Sequence, residues 1–151
     1  MATTDSKESP IEEISYGLYH KPYPSTVHAT IEPDSIAHIG DEQNAIDFLV
    51  PEGTLVLAPR SGKVIAVKED SHIGGPDEKF ADQANYIVLD HGGGETSILV
   101  HLAPASVIVK PGETVLAGQQ IARQGSTGWT YAPHIHFGVY RNRKTVKIRF
   151  I

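Results

Sequence analysis

Apolar residues along this chain come in short runs, each closed within a few positions by Gly, Pro, Asp or Asn. Ala45-Ile-Asp-Phe-Leu-Val50 stops at Pro51-Glu-Gly-Thr54. Leu55-Val-Leu-Ala58, a turn at Pro59-Arg-Ser-Gly62 and Lys63-Val-Ile-Ala-Val67 have the form of a hairpin. Tyr86-Ile-Val-Leu-Asp90 and Ser97-Ile-Leu-Val-His101 flank His91-Gly-Gly-Gly94 and predict a second one. Val107-Ile-Val109, Thr114-Val-Leu116, Gln120-Ile-Ala122, His134 to Tyr140 and Thr145 to Ile151 read as further strands, and Ser71 to Gln83 as a polar loop. No window of about eleven residues keeps a 3.6-residue period between Gly and Pro breaks, so no helix is predicted. Pro51 to Ala58 is echoed sixty residues later by Pro111 to Gly118, each a turn leading into a strand. The pattern predicts an all-β fold, an antiparallel sandwich or barrel-like arrangement with a duplicated hairpin motif.

The opening residues, Met1 to Ile14, are polar and acidic and lack the basic and apolar regions of a signal peptide. Residues 1–15 are expected to be a flexible tail and 16–151 a single domain, which suits a length of 151 residues. No apolar run approaches the ~20 residues of a membrane span, so no membrane insertion is expected. Thirteen basic against eighteen acidic residues leave a net charge of −5, which offers nucleic acid no global attraction. The absence of cysteine excludes disulfides, thiol catalysis and cysteine-ligated zinc.

Eight histidines are what remain to carry chemistry. His134 and His136 are two apart in a predicted strand, so both rings project from one face while Ile135 takes the other. Neutral imidazole is a good zinc ligand, and spacing alone would let both bind. Asp47 sits between apolar neighbours, where burying an unpaired carboxylate is costly and a metal or hydrogen bonds would compensate. His101 ends an apolar strand, the place of a structural histidine or of a proton-transfer group. His38 precedes Asp47 by nine residues and says little by itself. His72 and His91 read as solvated turn residues. Trp129 and Tyr131 precede the histidine pair and suit either a peptide groove or the rim of a core. Five basic residues fall between Arg141 and Arg149, but Val146, Ile148 and Phe150 alternate with Lys147 and Arg149, as in a terminal strand with one solvated face.

In order, His38, Asp47, His101 and His134-x-His136 with their flanks resemble the zinc metallopeptidases of the LytM/lysostaphin type, family M23. The similarity rests on Asn44-Ala-Ile-Asp-Phe48 through Gly62-Lys-Val64, on Leu99-Val-His-Leu102, on Val109 to Gly128 and on Pro133-His-Ile-His-Phe137. It implies one Zn²⁺ per chain held by His38, Asp47 and His136, with an open fourth position. It implies His101 and His134 as catalytic groups, one removing a proton and the other stabilising the oxyanion, in an order the sequence leaves open. It implies peptide bonds of bacterial peptidoglycan as substrate and a periplasmic or extracellular setting; a monomer is expected. Two positions depart from the family pattern. The common His-x-x-x-Asp spacing would place the first ligand at Gln43, so His38 fills that role as an earlier variant, with His28 and His20 as alternatives. Leu99 stands where the family carries an aromatic before the catalytic histidine, which suggests a lost substrate contact. Competing functions are a silent binding module of the same fold and a phosphocarrier domain. All five expected site positions are filled, and a carrier would need neither Asp47 nor the His-x-His pair.

Overall fold

A computed structural model describes residues 14–32 and 40–151. The strands are β1 (Ile14–Tyr19), β2 (Thr30–Glu32), β3 (Ile46–Leu49), β4 (Leu55–Leu57), β5 (Gly62–Lys68), β6 (Gly74–Gly75) and β7 (Tyr86–Gly92). They continue with β8 (Glu95–Val100), β9 (Thr114–Val115), β10 (Gln120–Arg123), β11 (Gly128–Trp129), β12 (His134–Arg141), β13 (Lys144–Thr145) and β14 (Lys147–Phe150). Two short 3₁₀ turns, Gly40–Glu42 and Glu78–Gln83, supply the helix found among the described residues. The fold is all-β, as the hydrophobic pattern predicts.

Eight strands form one antiparallel sheet in the order β9-β5-β7-β8-β12-β3-β2, with β13 paired to the end of β12. Smaller ladders join β10 to β4 antiparallel, β11 to β6 parallel and β14 to β1 parallel. Alternation sets the faces. In β12, Ile135, Phe137 and Val139 are buried, and His134 and His136 take the opposite face. Phe48, Ile87, Leu89 and Leu99 join the same core from neighbouring strands, and Val56, Ile121 and Ala122 enter it from the β4–β10 ladder. At roughly 25 cal/mol per Å² of apolar area, these residues hold the sheet that carries the histidines.

The predicted hairpin over 55–67 does not form. β4 pairs with β10, and β5 turns away to pair with β7 and β9. The intervening turn is used elsewhere: the Pro59 carbonyl accepts from His20 N at 2.7 Å, and Ala58 exchanges backbone bonds with Gln119 and Gly118. The hairpin over 86–101 forms as expected, through β7 and β8. Val107 to Val109 makes a single backbone bond, Ile108 N to the Ile121 carbonyl, and no ladder. His91 is half-buried in β7 and not a solvated turn residue. Its Nδ1–H donates to the Ser61 carbonyl at 2.9 Å, and its Nε2 accepts from the Ser97 hydroxyl at 2.8 Å. Burial lowers its pKa.

Candidate functional site

Adjacent strands bring the site together. In the ladder between β12 and β3, His136 lies directly opposite Asp47 and His134 opposite Leu49. His101 follows β8, whose ladder with β12 ends at the pair Val100–His136. Strand pairing alone therefore places Asp47, His101, His134 and His136 together at one end of the sheet.

Asp47 is 7% exposed, so its charge requires a partner. Its Oδ1 stands 3.0 Å from His136 Nδ1 and 3.7 Å from His134 Nε2. On the far side of the His136 ring, Nε2 lies 3.4 Å from Glu42 Oε1. The Tyr140 hydroxyl, in the same strand as His136, lies 2.6 Å from each oxygen of that carboxylate. Burial disfavours the charged imidazole of His136, but Asp47 and Glu42 outweigh it and raise its pKa to about 9.

His101 has a left-handed backbone, with φ of 69°. A non-glycine residue takes that conformation only where its surroundings over-determine it. Its N–H donates to the Asn85 carbonyl at 2.9 Å, and its own carbonyl accepts from Gly125 N at 3.0 Å. Gly125 has no room for a side chain, because a Cβ there would come within 2.6 Å of Ala103 Cα. The His101 ring is fixed as well, since Nδ1–H donates to the Thr127 carbonyl at 2.6 Å. His134 repeats the device, with Nδ1–H donating to the Ala132 carbonyl at 2.8 Å. The ring centroids of His101 and His134 are 4.4 Å apart, and those of His101 and His136 are 6.1 Å apart. Burial, reinforced by the neighbouring His134 ring, lowers the His101 pKa to about 3, so this ring is neutral at physiological pH.

The partner of Nδ1 separates the histidines: a carboxylate for His136, a backbone carbonyl for His101 and His134. A carbonyl can only accept, so the rings of His101 and His134 carry their proton on Nδ1 and present Nε2 to the site. His136 presents Nδ1 to Asp47. The carboxylate and imidazole donors that meet at that point are of the types zinc takes. Among the described residues no three His, Asp or Glu side chains form a metal-binding group. His38 lies outside the described residues. Its alternatives His20 and His28 line a groove with Tyr23, Leu57 and Ile151 that includes none of the site residues.

Leu99 is fully buried in the core, because alternation along β8 turns it inward with Ser97 and Glu95. Trp129 is half-buried and Tyr131 is 71% exposed, their rings 6.4 Å apart. Glu42, Asn85, Gln124 and Tyr140 support the site and escape the sequence reading, and Thr127 is legible there only as a motif position without a role. Each acts through a contact with a residue far along the chain, which no local pattern announces.

Residues 41–148 match the model of a family described as Peptidase family M23. The chain is 37% identical over 101 residues to the peptidoglycan DD-endopeptidase ShyB of Vibrio cholerae, a match covering 66% of this chain and 21% of that protein. It is 31% identical over 137 residues to lysostaphin of Staphylococcus staphylolyticus, covering 90% of this chain and 24% of that one. A crystal structure of a zinc-containing peptidase from Vibrio cholerae shares the fold with a TM-score of 0.63 at 28% identity, over 85% of this chain and 38% of that chain. The matched segments are about a fifth to a quarter of the length of these curated relatives.

Proposed function

The chain belongs to peptidase family M23, and we propose that it is a zinc-dependent endopeptidase acting on stem or cross-bridge peptides of bacterial peptidoglycan. Asp47 and His136, with His38, would hold the zinc ion. When bound, zinc supplies Lewis acidity, activating water and polarising the scissile carbonyl. Glu42 orients the His136 ring from its far side, an outer-shell carboxylate of the kind that commonly accompanies ligating histidines. The relatives named as peptidoglycan enzymes support the substrate class. They also favour a periplasmic or extracellular setting, and we propose that residues 16–151 work as one monomeric domain.

The observation that carries this reading is the division of ring nitrogens among the three histidines. His136 turns Nδ1 to Asp47, while His101 and His134 have Nδ1 committed to backbone carbonyls and offer Nε2. An unprotonated Nε2 accepts the proton leaving the attacking water. Once protonated, that nitrogen donates to the departing amine or to the oxyanion. Two such rings with centroids 4.4 Å apart serve both needs without moving. The net charge of −5 gives no general attraction to an anionic wall, so recognition falls to a local groove, with Trp129 and Tyr131 as its proposed aromatic wall.

The test is incubation of zinc-loaded protein with purified peptidoglycan and with pentaglycine near neutral pH, followed by mass spectrometry. New amine termini within stem or bridge peptides, suppressed by a chelator, support the reading and show which bond is cut. Intact substrates with protein shown to hold zinc would contradict it and favour the silent binding module.

A further inference from the structure

We propose that Gln124 is a positioning residue whose side-chain amide ties the backbones of His101 and His134 together. This rests on the reading that those two rings move protons.

Gln124 is fully buried. Its Nε2, with two hydrogens, has three carbonyls within hydrogen-bond reach: His101 at 2.8 Å, Gly125 at 3.1 Å and His134. Its Oε1 has no hydrogen-bond partner among the described residues. A buried, unsatisfied carbonyl oxygen is a cost that an apolar side chain of the same size would avoid. What the amide contributes is therefore on its nitrogen.

The place of this contact explains the need. The β8–β12 ladder stops at Val100 and His136. Beyond it the chain leaves sheet geometry at His101, in the left-handed conformation, while His134 opens β12 on the other side. Regular backbone pairing between these two strands is thus missing where the catalytic rings must hold their spacing. The Gln124 amide bridges the two carbonyls across that gap. Its own backbone is pinned in turn, with N donating to the Thr54 carbonyl and O accepting from Gly53 N, both at 2.8 Å. It also forms an isolated bridge to Leu102. The clamp is anchored outside both strands it joins, so it also resists relaxation of His101 out of its strained φ.

The variant is Gln124→Met, which keeps the volume and removes the donors. Zinc affinity and KM should be unchanged, because Asp47 and His136 are held by their own ladder. The kcat on peptidoglycan peptides should fall roughly 10- to 100-fold, the scale of a small misplacement of reacting groups. A second readout needs no substrate. In ¹⁵N NMR of the zinc protein, the His101 and His134 Nδ1 protons should be hydrogen-bonded and slowly exchanging in the wild type, and should exchange faster in the variant. Unchanged kcat together with unchanged Nδ1 protons would overturn the proposal. If the wild type proves inactive on every substrate, the function fails and the NMR comparison still decides the clamp. If the variant does not fold, the wild type decides it alone. The Gln124 side-chain amide should then exchange among the slowest in the protein and show couplings across hydrogen bonds to the His101 and His134 carbonyls. Rapid exchange with no such coupling would sink it.

Discussion

His136 Nδ1 faces Asp47 Oδ1 at 3.0 Å because the two residues are direct partners in an antiparallel ladder. Two donors in register on neighbouring strands need no mobile loop to find each other, and a sheet holds them with little room to drift. Replacing either by Ala should abolish stoichiometric zinc binding in dialysed protein analysed for metal. His38→Ala should do the same, whereas His20→Ala and His28→Ala, in a groove of their own, should keep zinc. A full equivalent retained by Asp47→Ala would show that the ligand assignment is wrong.

His134 shares a strand face with His136, but its Nδ1 is held by the Ala132 backbone carbonyl instead of the Asp47 carboxylate. His134→Ala and His101→Ala should each retain zinc and lower turnover roughly 10²- to 10⁴-fold, the scale of losing a positioned acid or base. Metal analysis alongside single-turnover kinetics checks this. Loss of zinc from His134→Ala would mean a three-histidine site.

The strand content, the 86–101 hairpin and the shared face of the His pair are legible in the sequence because alternation and glycine turns are local signals. The partner of Leu55–Leu57 is not, since Pro59-Arg-Ser-Gly62 resembles a hairpin turn. Only the folded chain shows the Pro59 carbonyl accepting from His20 N and the preceding Ala58 bonding to Gly118 and Gln119. The site divides likewise. Asp47 stands out in sequence as a carboxylate among apolar residues and Thr127 as a motif position, whereas Gln124 and Glu42 look like any loop polar residue. Leu99 stands out in sequence as a departure from a motif, and strand alternation puts it in the core.

His91 bears on stability rather than chemistry. Burial holds its folded pKa below the ordinary 6.5, against raising contributions from Ser61, Glu95 and Asp90. A depressed folded pKa means that its stabilising contribution is complete above the unfolded value and is lost as pH falls from there toward the folded one. Urea unfolding with chelator present should therefore show a stability loss between pH 7.5 and pH 5 that is smaller in His91→Gln. Equal slopes in both proteins would contradict this.

Glu95 is buried where Tyr19, Arg60 and Arg141 converge on its carboxylate, the Tyr19 hydroxyl at 2.7 Å and Arg60 at 3.2 Å. Glu95→Gln keeps the volume but leaves both arginines without their anion. The cost should be roughly 2–3 kcal/mol, below that of a fully buried pair because the arginines still touch solvent. Thermal unfolding measures it, and zinc binding should be unaffected. A variant as stable as the wild type would show the cluster to be neutral.

The most direct test of the whole account is a zinc titration of chelator-stripped protein while peptide-bond cleavage in peptidoglycan is followed. Cleavage should be absent without metal, rise in proportion to added zinc and level off at about one equivalent per chain, the stoichiometry of a single catalytic site. Asp47→Ala should stay flat throughout. Cleavage by the metal-free protein, or none at a full bound equivalent, would contradict the claim that this strand-built cluster is a zinc peptidase centre.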